Sequence, residues 1–401
     1  MSNINVNPLL FFMAIFIAYF TSACIENDAQ SAQISVNLPH VIANTTINSP
    51  KNITALFLAG MDLPPNNNLE KFTQTAFYKS YKTGFATGWD RFQKPNLDKM
   101  RNWWKEKITL TYNKDILYPF SGPDIMNVLA FFPDGSSYIM FGLEPVGTVP
   151  IPYDKSDAEL INGLNAIRKS LHTIFSVNFF KTIELTEDIK NNSFCGISAF
   201  LMVFLAKCGY TVIDAKNVTI DKESALVPWE ASDAKINWRN PPVSQRIPGI
   251  EVSFNKGEGK TQVVRYFNLN VIDENLKKLP NFIPYITKNT SYATILKSAS
   301  YLMHNDNIKF TKIREAIIDS SDFIIQDDSG IPIKYFKRNE WIVDLHGVYT
   351  MPIPLFSNKY QRDLKEAYKS STGIVPFSYG YNYKIGESNL LTAKKIKQTT
   401  Q

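Results

Sequence analysis

The chain has 401 residues, 44% hydrophobic and 20% charged, an ordinary globular balance with ample apolar material for a core. Its 43 Lys/Arg against 37 Asp/Glu leave a net charge of +6, and no run of five or more basic residues occurs. So mild and scattered an excess argues against nucleic acid as a partner.

The first informative stretch is residues 9–20, LLFFMAIFIAYF. It is shorter than the about 20 apolar residues of a membrane span and matches the core of an export signal. Thr21, Ser22 and Ala23 are small, and Cys24 follows. The arrangement resembles a bacterial lipoprotein signal, in which the cysteine becomes the lipid-carrying first residue. The resemblance implies a signal peptide over 1–23 and acylation of Cys24 by fatty acids such as palmitate. It also implies a membrane partner through that lipid, in the bacterial cell envelope, as an outer-membrane lipoprotein facing the periplasm or the surface. Ordinary cleavage after Ala23 is the alternative, since Thr21 and Ala23 satisfy the small-x-small rule.

Residues 24–60, rich in Asn, Ser, Thr and Ala, read as a tether or irregular lead-in. Two helices rich in aromatics are expected over 69–84 and 97–108, the second with Met100, Trp103, Trp104 and Ile108 on one stripe. Residues 118–145, YPFSGPDIMNVLAFFPDGSSYIMFGLEP, read as a rigid loop followed by a β-hairpin, with strands at 128–132 and 137–141 about the turn Pro133-Asp134-Gly135. A long helix is expected over 157–184 with Ser156 as its N-cap, then an apolar helix over 196–207 and a strand over 210–220.

Residues 221–247, with Pro228, Pro241 and Pro242, read as an irregular binding loop, lid or boundary. A second hairpin is expected from 250–254 and 262–269. Helices are expected over 274–278, 294–304 and 311–319, and a third hairpin from 322–326 and 331–336 about Asp327-Asp328-Ser329-Gly330. A strand over 341–349 and a polar, flexible tail over 391–401 complete the chain. Helical and hairpin patterns come in blocks, so the expected fold is α+β: several hairpins packed with amphipathic helices. It forms one large domain or two parts, 61–220 and 248–390.

Only four histidines occur, His40, His172, His304 and His346, and none stands at metal-ligand spacing. Neither a metal nor a cofactor is expected, since Walker A, G-x-G-x-x-G and G-x-S-x-G patterns are missing. Ser121, Asp124 and Glu144 are the few polar residues of an otherwise apolar stretch, and they are the candidates for facing a small-molecule or protein ligand. Asp124 could equally cap a turn.

Cys195 opens a helix in SFCGISAFLMVFLAKCGY, where aligned backbone N–H groups lower a thiol's pKa. That stretch is similar to the start of papain-like cysteine peptidases, where Cys-Gly opens the central helix. His346 stands 151 residues downstream, so Cys195 and His346 form the candidate pair of a cysteine hydrolase. Cys195 and Cys208, 13 residues apart on one helix, would lie ~20 Å from each other, too far for a disulfide.

Across about residues 70–385, YPFSGPD, FFPDGSSYIMFGLEPVG, SYLMH, QDDSGIPIKYF and MPIPLF resemble motifs of a family of bacterial envelope proteins. The resemblance implies bacterial origin and export and carries over no catalytic residue. The whole reads as an exported, lipid-anchored envelope protein with a binding or structural role, with the cysteine hydrolase as alternative.

Overall fold

Ile116 and Tyr118 point to one face of a strand and Leu117 to the other, and all three are fully or almost fully buried. A strand covered on both faces belongs at the centre of a sheet. The computed structural model describes residues 47–108, 111–177, 194, 196–229, 246–288, 291–305, 309–381 and 384–396. In it this strand, β1 (Asp115–Pro119), lies between β2 (Ser137–Gly142) and β7 (Tyr292–Leu296), parallel to both.

The other strands are β3 (Thr211–Ile220), β4 (Leu226–Pro228), β5 (Ile247–Asn255), β6 (Gln262–Asn268), β8 (Ser321–Gln326), β9 (Trp341–Gly347) and β10 (Asn389–Lys395). They form one sheet in the order β4-β3-β5-β6-β2-β1-β7-β8-β10-β9. Five strands, β6 to β8 in that order, run parallel, and antiparallel strands flank them on both sides.

Helices cover both faces. Against the first pack α1 (Pro50–Leu58), α3 (Ala76–Phe92), α4 (Asp98–Lys107), α5 (Ile125–Phe131), α6 (Asp157–Val177) and α7 (Ser198–Lys207), with a short α2 (Glu70–Thr73) at the rim. Against the second pack α8 (Asp273–Lys278), α9 (Phe282–Thr287), α10 (Thr311–Ser320) and α11 (Arg362–Ala367). The result is a mixed α+β fold built on a single sheet. Strands from 61–220 and from 248–390 interleave in it, so those two parts are not separate units.

Local chemistry explains several elements. Ser156 and Glu159 form a reciprocal capping box at the start of α6: the Ser156 N–H donates to Glu159 Oε2 (2.9 Å) and the Glu159 N–H to Ser156 Oγ (3.4 Å). Met100, Trp103 and Trp104 are buried on one side of α4, and β5 and β6 pair antiparallel as a hairpin. Residues 178–193, where the expected long helix would end, lie outside the described residues.

Other expectations are corrected. Residues 125–131 form helix α5, not a strand, and β1–α5–β2 is a parallel crossover rather than a hairpin. All seven α5 residues are buried, so the segment shows no polar face, and a short apolar run reads alike as strand or helix. Residues 292–296 are the central strand β7 where a helix over 294–304 is expected; packing on both faces overrides local propensity.

Residues 331–336 form no strand partner for β8, which pairs instead with β7 and β10. The expected helix over 69–84 breaks at Thr75, whose side chain caps α3. The lead-in gives way to structure at Ser49, which caps α1, and Ala55, Phe57 and Leu58 of that helix are fully buried. Residues 391–395 are not a tail but the inner strand β10.

Candidate functional site

The crossover helix after β1, α5, packs on the first face of the sheet, whereas the one after β7, α10, packs on the second. Two adjacent parallel strands whose crossovers leave in opposite directions define a topological switch point, with a crevice at their carboxyl ends. The residues that follow β1, β7 and β8 there are polar and buried.

Asp124, after β1, is 1% exposed. Its Oδ1 accepts from the Asn127 amide side chain (2.7 Å) and caps α5 through the Asn127 N–H (3.4 Å). Its Oδ2 accepts from Tyr118 Oη (2.9 Å) and from Lys297 Nζ (3.2 Å), the first residue beyond β7. The Lys297–Asp124 ion pair thus spans the switch point and is sealed from water.

After Lys297, three non-glycine residues adopt left-handed backbone: Ser298 (φ 53°), Ser300 (φ 54°) and Tyr301 (φ 54°). Each costs about 1–2 kcal/mol for a residue with a Cβ. Specific acceptors hold the turn: the Ser298 N–H donates to Asp327 Oδ2 (3.2 Å), Ala299 N–H to Ser329 Oγ (2.8 Å) and Ser300 N–H to Tyr381 Oη (2.8 Å). Those acceptors come from the loop after β8 and from the segment before β10.

Asp327 also accepts from the Ser329 N–H (3.1 Å). Beside it, Asp328 accepts from Tyr301 Oη (2.6 Å) and from the Asn389 side-chain amide (3.0 Å), and its own N–H donates to Asn389 Oδ1 (2.7 Å). Burial first, and then the neighbouring Asp328 charge, raise the Asp327 carboxyl to about 7. Burial likewise holds the phenols of Tyr118 and Tyr379 well above their ordinary value, with Asp124 and Asp327 adding to it. His304, edge-on to the Tyr301 ring at 4.9 Å, is lowered to about 4 by burial and then by the Lys359 charge.

The segment 351–361 lies over this cluster. Phe356 packs against Tyr301 (4.9 Å) and Tyr381 (5.1 Å), while Met351 and Leu355 face solvent. Gln361 donates from Nε2 to the Asp328 carbonyl (3.0 Å) and lines, with Asp327, Asp328, Leu364 and Tyr368, a crevice too tight to hold a water molecule. Four buried side-chain atoms around the cluster have no hydrogen-bond partner: Asn127 Oδ1, Ser298 Oγ, His304 Nε2 and Gln361 Oε1.

Of the residues singled out from sequence, Asp124 stands at the switch point. Ser121 is buried and donates to the Gly122 carbonyl (2.8 Å), fixing the preceding loop. Glu144 is buried after β2, where its carboxylate accepts from Tyr266 Oη (3.0 Å) and its carbonyl from Asn268 Nδ2 (3.0 Å). Cys195 lies outside the described residues. Its neighbour Gly196 leads into Ile197 and Ser198, whose N–H groups bond to the Pro145 and Val146 carbonyls beyond β2 (3.0 and 3.2 Å).

His346 is on the edge strand β9, edge-on to Trp103 at 5.1 Å. That strand is five positions from β2, roughly 24 Å along the sheet at about 4.8 Å per strand. Cys208 is a buried free thiol, pushed up to about 11 by burial. No cluster of three or more His, Cys, Asp or Glu able to hold a metal occurs among the described residues.

Lys297, Tyr301, Gln361 and Tyr381 escaped the sequence reading. The signal for Lys297 was there: a five-residue apolar run, YATIL, ending abruptly in Lys-Ser-Ala-Ser. The fold and site together define a mixed α+β protein with a doubly wound parallel centre and a buried polar cluster at its switch point. No family's sequence profile matches the chain, and no curated protein matches it.

Proposed function

We propose that the protein is an exported, lipid-anchored bacterial envelope protein that binds a small polar ligand at the switch-point cluster. The observation that carries the binding role is the Lys297–Asp124 pair joining the carboxyl ends of β1 and β7. In open α/β sheets ligands bind at such a crevice, and strained backbone beside it is typical of functional sites. The export and lipid-anchor part is supported by the apolar core 9–20 and Cys24. No helix of the described residues is long and apolar enough to cross a membrane. The alternative, a cysteine hydrolase of Cys195 and His346, rests on the sequence alone, since Cys195 lies outside the described residues.

Metabolic labelling with an alkynyl fatty acid in a bacterial host tests the anchor. The wild-type chain takes up label and Cys24→Ser does not; equal labelling of both ends the lipoprotein reading.

A further inference from the structure

We infer that the corner of the sheet at β9 and β10 rests on the lipid bilayer that holds the anchor, with Val348, Ile374 and Ile385 dipping into its interface. The inference rests on the lipid-anchor reading above and says which face of the protein that anchor turns to the membrane.

Among the described residues eleven large apolar side chains are exposed, and eight of them lie between Ile342 and Ile396. Scattered singly they would need no explanation, but three of them share one rim. Val348 is 46% exposed, Ile374 69% and Ile385 51%. They come from three segments that backbone hydrogen bonds tie together. The Gly347 N–H donates to the Gly373 carbonyl (3.3 Å), the Val348 N–H to the Ser388 carbonyl (3.1 Å) and the Gly386 N–H to the Val375 carbonyl (3.3 Å). Each exposed side chain stands next to a glycine of left-handed backbone, Gly347 (φ 83°), Gly373 (φ 68°) or Gly386 (φ 86°), so each sits at a turn.

The base of the rim is fixed. Val375 and Ser388 are fully buried, and Val375 packs so closely on Gly347 that a Cβ there would collide with it. The three side chains are thus held out in water, where apolar surface gains by being covered.

A stable protein interface draws on about 20–30 residues a side, many more than this rim offers. A bilayer asks less of it: the anchor keeps the rim beside the membrane, so docking is an intramolecular step that a few apolar side chains can drive. The tether has the length for it. Helix α1 starts beside β3, where Ser49 Oγ donates to the Val212 carbonyl (3.2 Å), and β3 is eight positions from β9, roughly 38 Å at about 4.8 Å per strand. Residues 24–46 can span at most about 75–85 Å at roughly 3.3–3.6 Å per residue, so a lipid on Cys24 leaves this far corner free to meet the membrane.

Lys384 and Glu387 flank Ile385 with opposite charges, so the contact is apolar rather than electrostatic. The corner also lies at the carboxyl end of the parallel strands, since Asn389 opens β10 and donates to Asp328 (3.0 Å). Docking there turns the switch-point cluster toward the bilayer.

The test uses the full chain, purified from bacterial membranes and reconstituted into vesicles of phosphatidylethanolamine and phosphatidylglycerol with brominated phosphatidylcholine. A bimane label is placed at Ile374→Cys or, for reference, at Glu258→Cys in the exposed turn between β5 and β6 at the opposite end of the sheet. Wild type treated alike sets the background. The label at 374 loses most of its emission to the bromines, in high salt as well, and the label at 258 keeps its own. Val348→Asp with Ile385→Asp restores the emission at 374. Equal emission from the two positions, in chains that float with the vesicles, overturns the docking and leaves the anchor standing. Quenching at 374 that the two aspartates do not reverse overturns the rim as its cause. A blue shift at 374 in detergent alone, growing with protein concentration, assigns the rim to a second copy of the chain and overturns the bilayer. A chain absent from the vesicle fraction overturns the anchor and the docking together.

Discussion

Lys297 Nζ lies 3.2 Å from Asp124 Oδ2, and the two side chains are 1% and 2% exposed, although 173 residues separate them in the chain. A pair so thoroughly removed from water is more costly to break than to replace, because a lone partner is left charged in a dry site. Lys297→Met therefore destabilises the fold by about 3–5 kcal/mol, and the double change Asp124→Asn with Lys297→Met costs less than the sum of the single changes. Urea unfolding of the four proteins measures this. Additive single changes would mean that the two groups are not coupled.

A buried carboxyl and a half-buried imidazole give the protein opposing pH dependences. Asp327 has its carboxyl raised to about 7, so the folded state holds that proton more tightly than the unfolded chain does. Its contribution is present below the ordinary carboxylate range and is lost as pH rises through about 7. His304, lowered from 6.5 to about 4, contributes above 6.5 and loses that contribution as pH falls through about 4.

The variants separate the two. Between about pH 5 and pH 8, Asp327→Asn removes the loss on the alkaline side, and His304→Gln removes the loss on the acid side. Thermal melts across this range read the slopes. A wild-type slope that Asp327→Asn leaves unchanged would rule out Asp327 as its source.

Gly380 stands at φ +81°, and a Cβ there would run into the Asp327 carboxylate. Glycine alone adopts that backbone without strain and leaves the carboxylate its place. Gly380→Ala costs at least about 1–2 kcal/mol from the left-handed backbone alone, before the collision is counted. Chemical denaturation checks it, and an alanine variant as stable as wild type would contradict the close approach.

What the sequence disclosed follows from how far its signals reach. The capping box of Ser156 and Glu159 and the stripe of Met100, Trp103 and Trp104 are local patterns, and so is the hairpin of β5 and β6. Each survives folding because it needs only its neighbours. The parallel centre has no such signal: β1 pairs with β7, and Leu117 is partnered by Thr294.

Strands buried on both faces lose the alternation that marks a strand, so 292–296 resembles a helix and 125–131 resembles a strand. Asp124 could be singled out because it interrupts an apolar stretch. For Lys297 the only signal is the abrupt end of YATIL, and a lone lysine after a short run reads as surface until the fold brings Asp124 to it.

We propose that the turn after β7 is kept at a cost in stability for the sake of a ligand. Ser298 tests it most directly, since its backbone is left-handed at φ 53° and its Oγ is buried without a partner. Ser298→Gly relieves the strain and removes the unpaired hydroxyl, so the variant is expected to be more stable than wild type by about 1 kcal/mol or more in urea unfolding. A less stable glycine variant would mean that Ser298 serves the fold, and the claim that this turn is built for binding would fail.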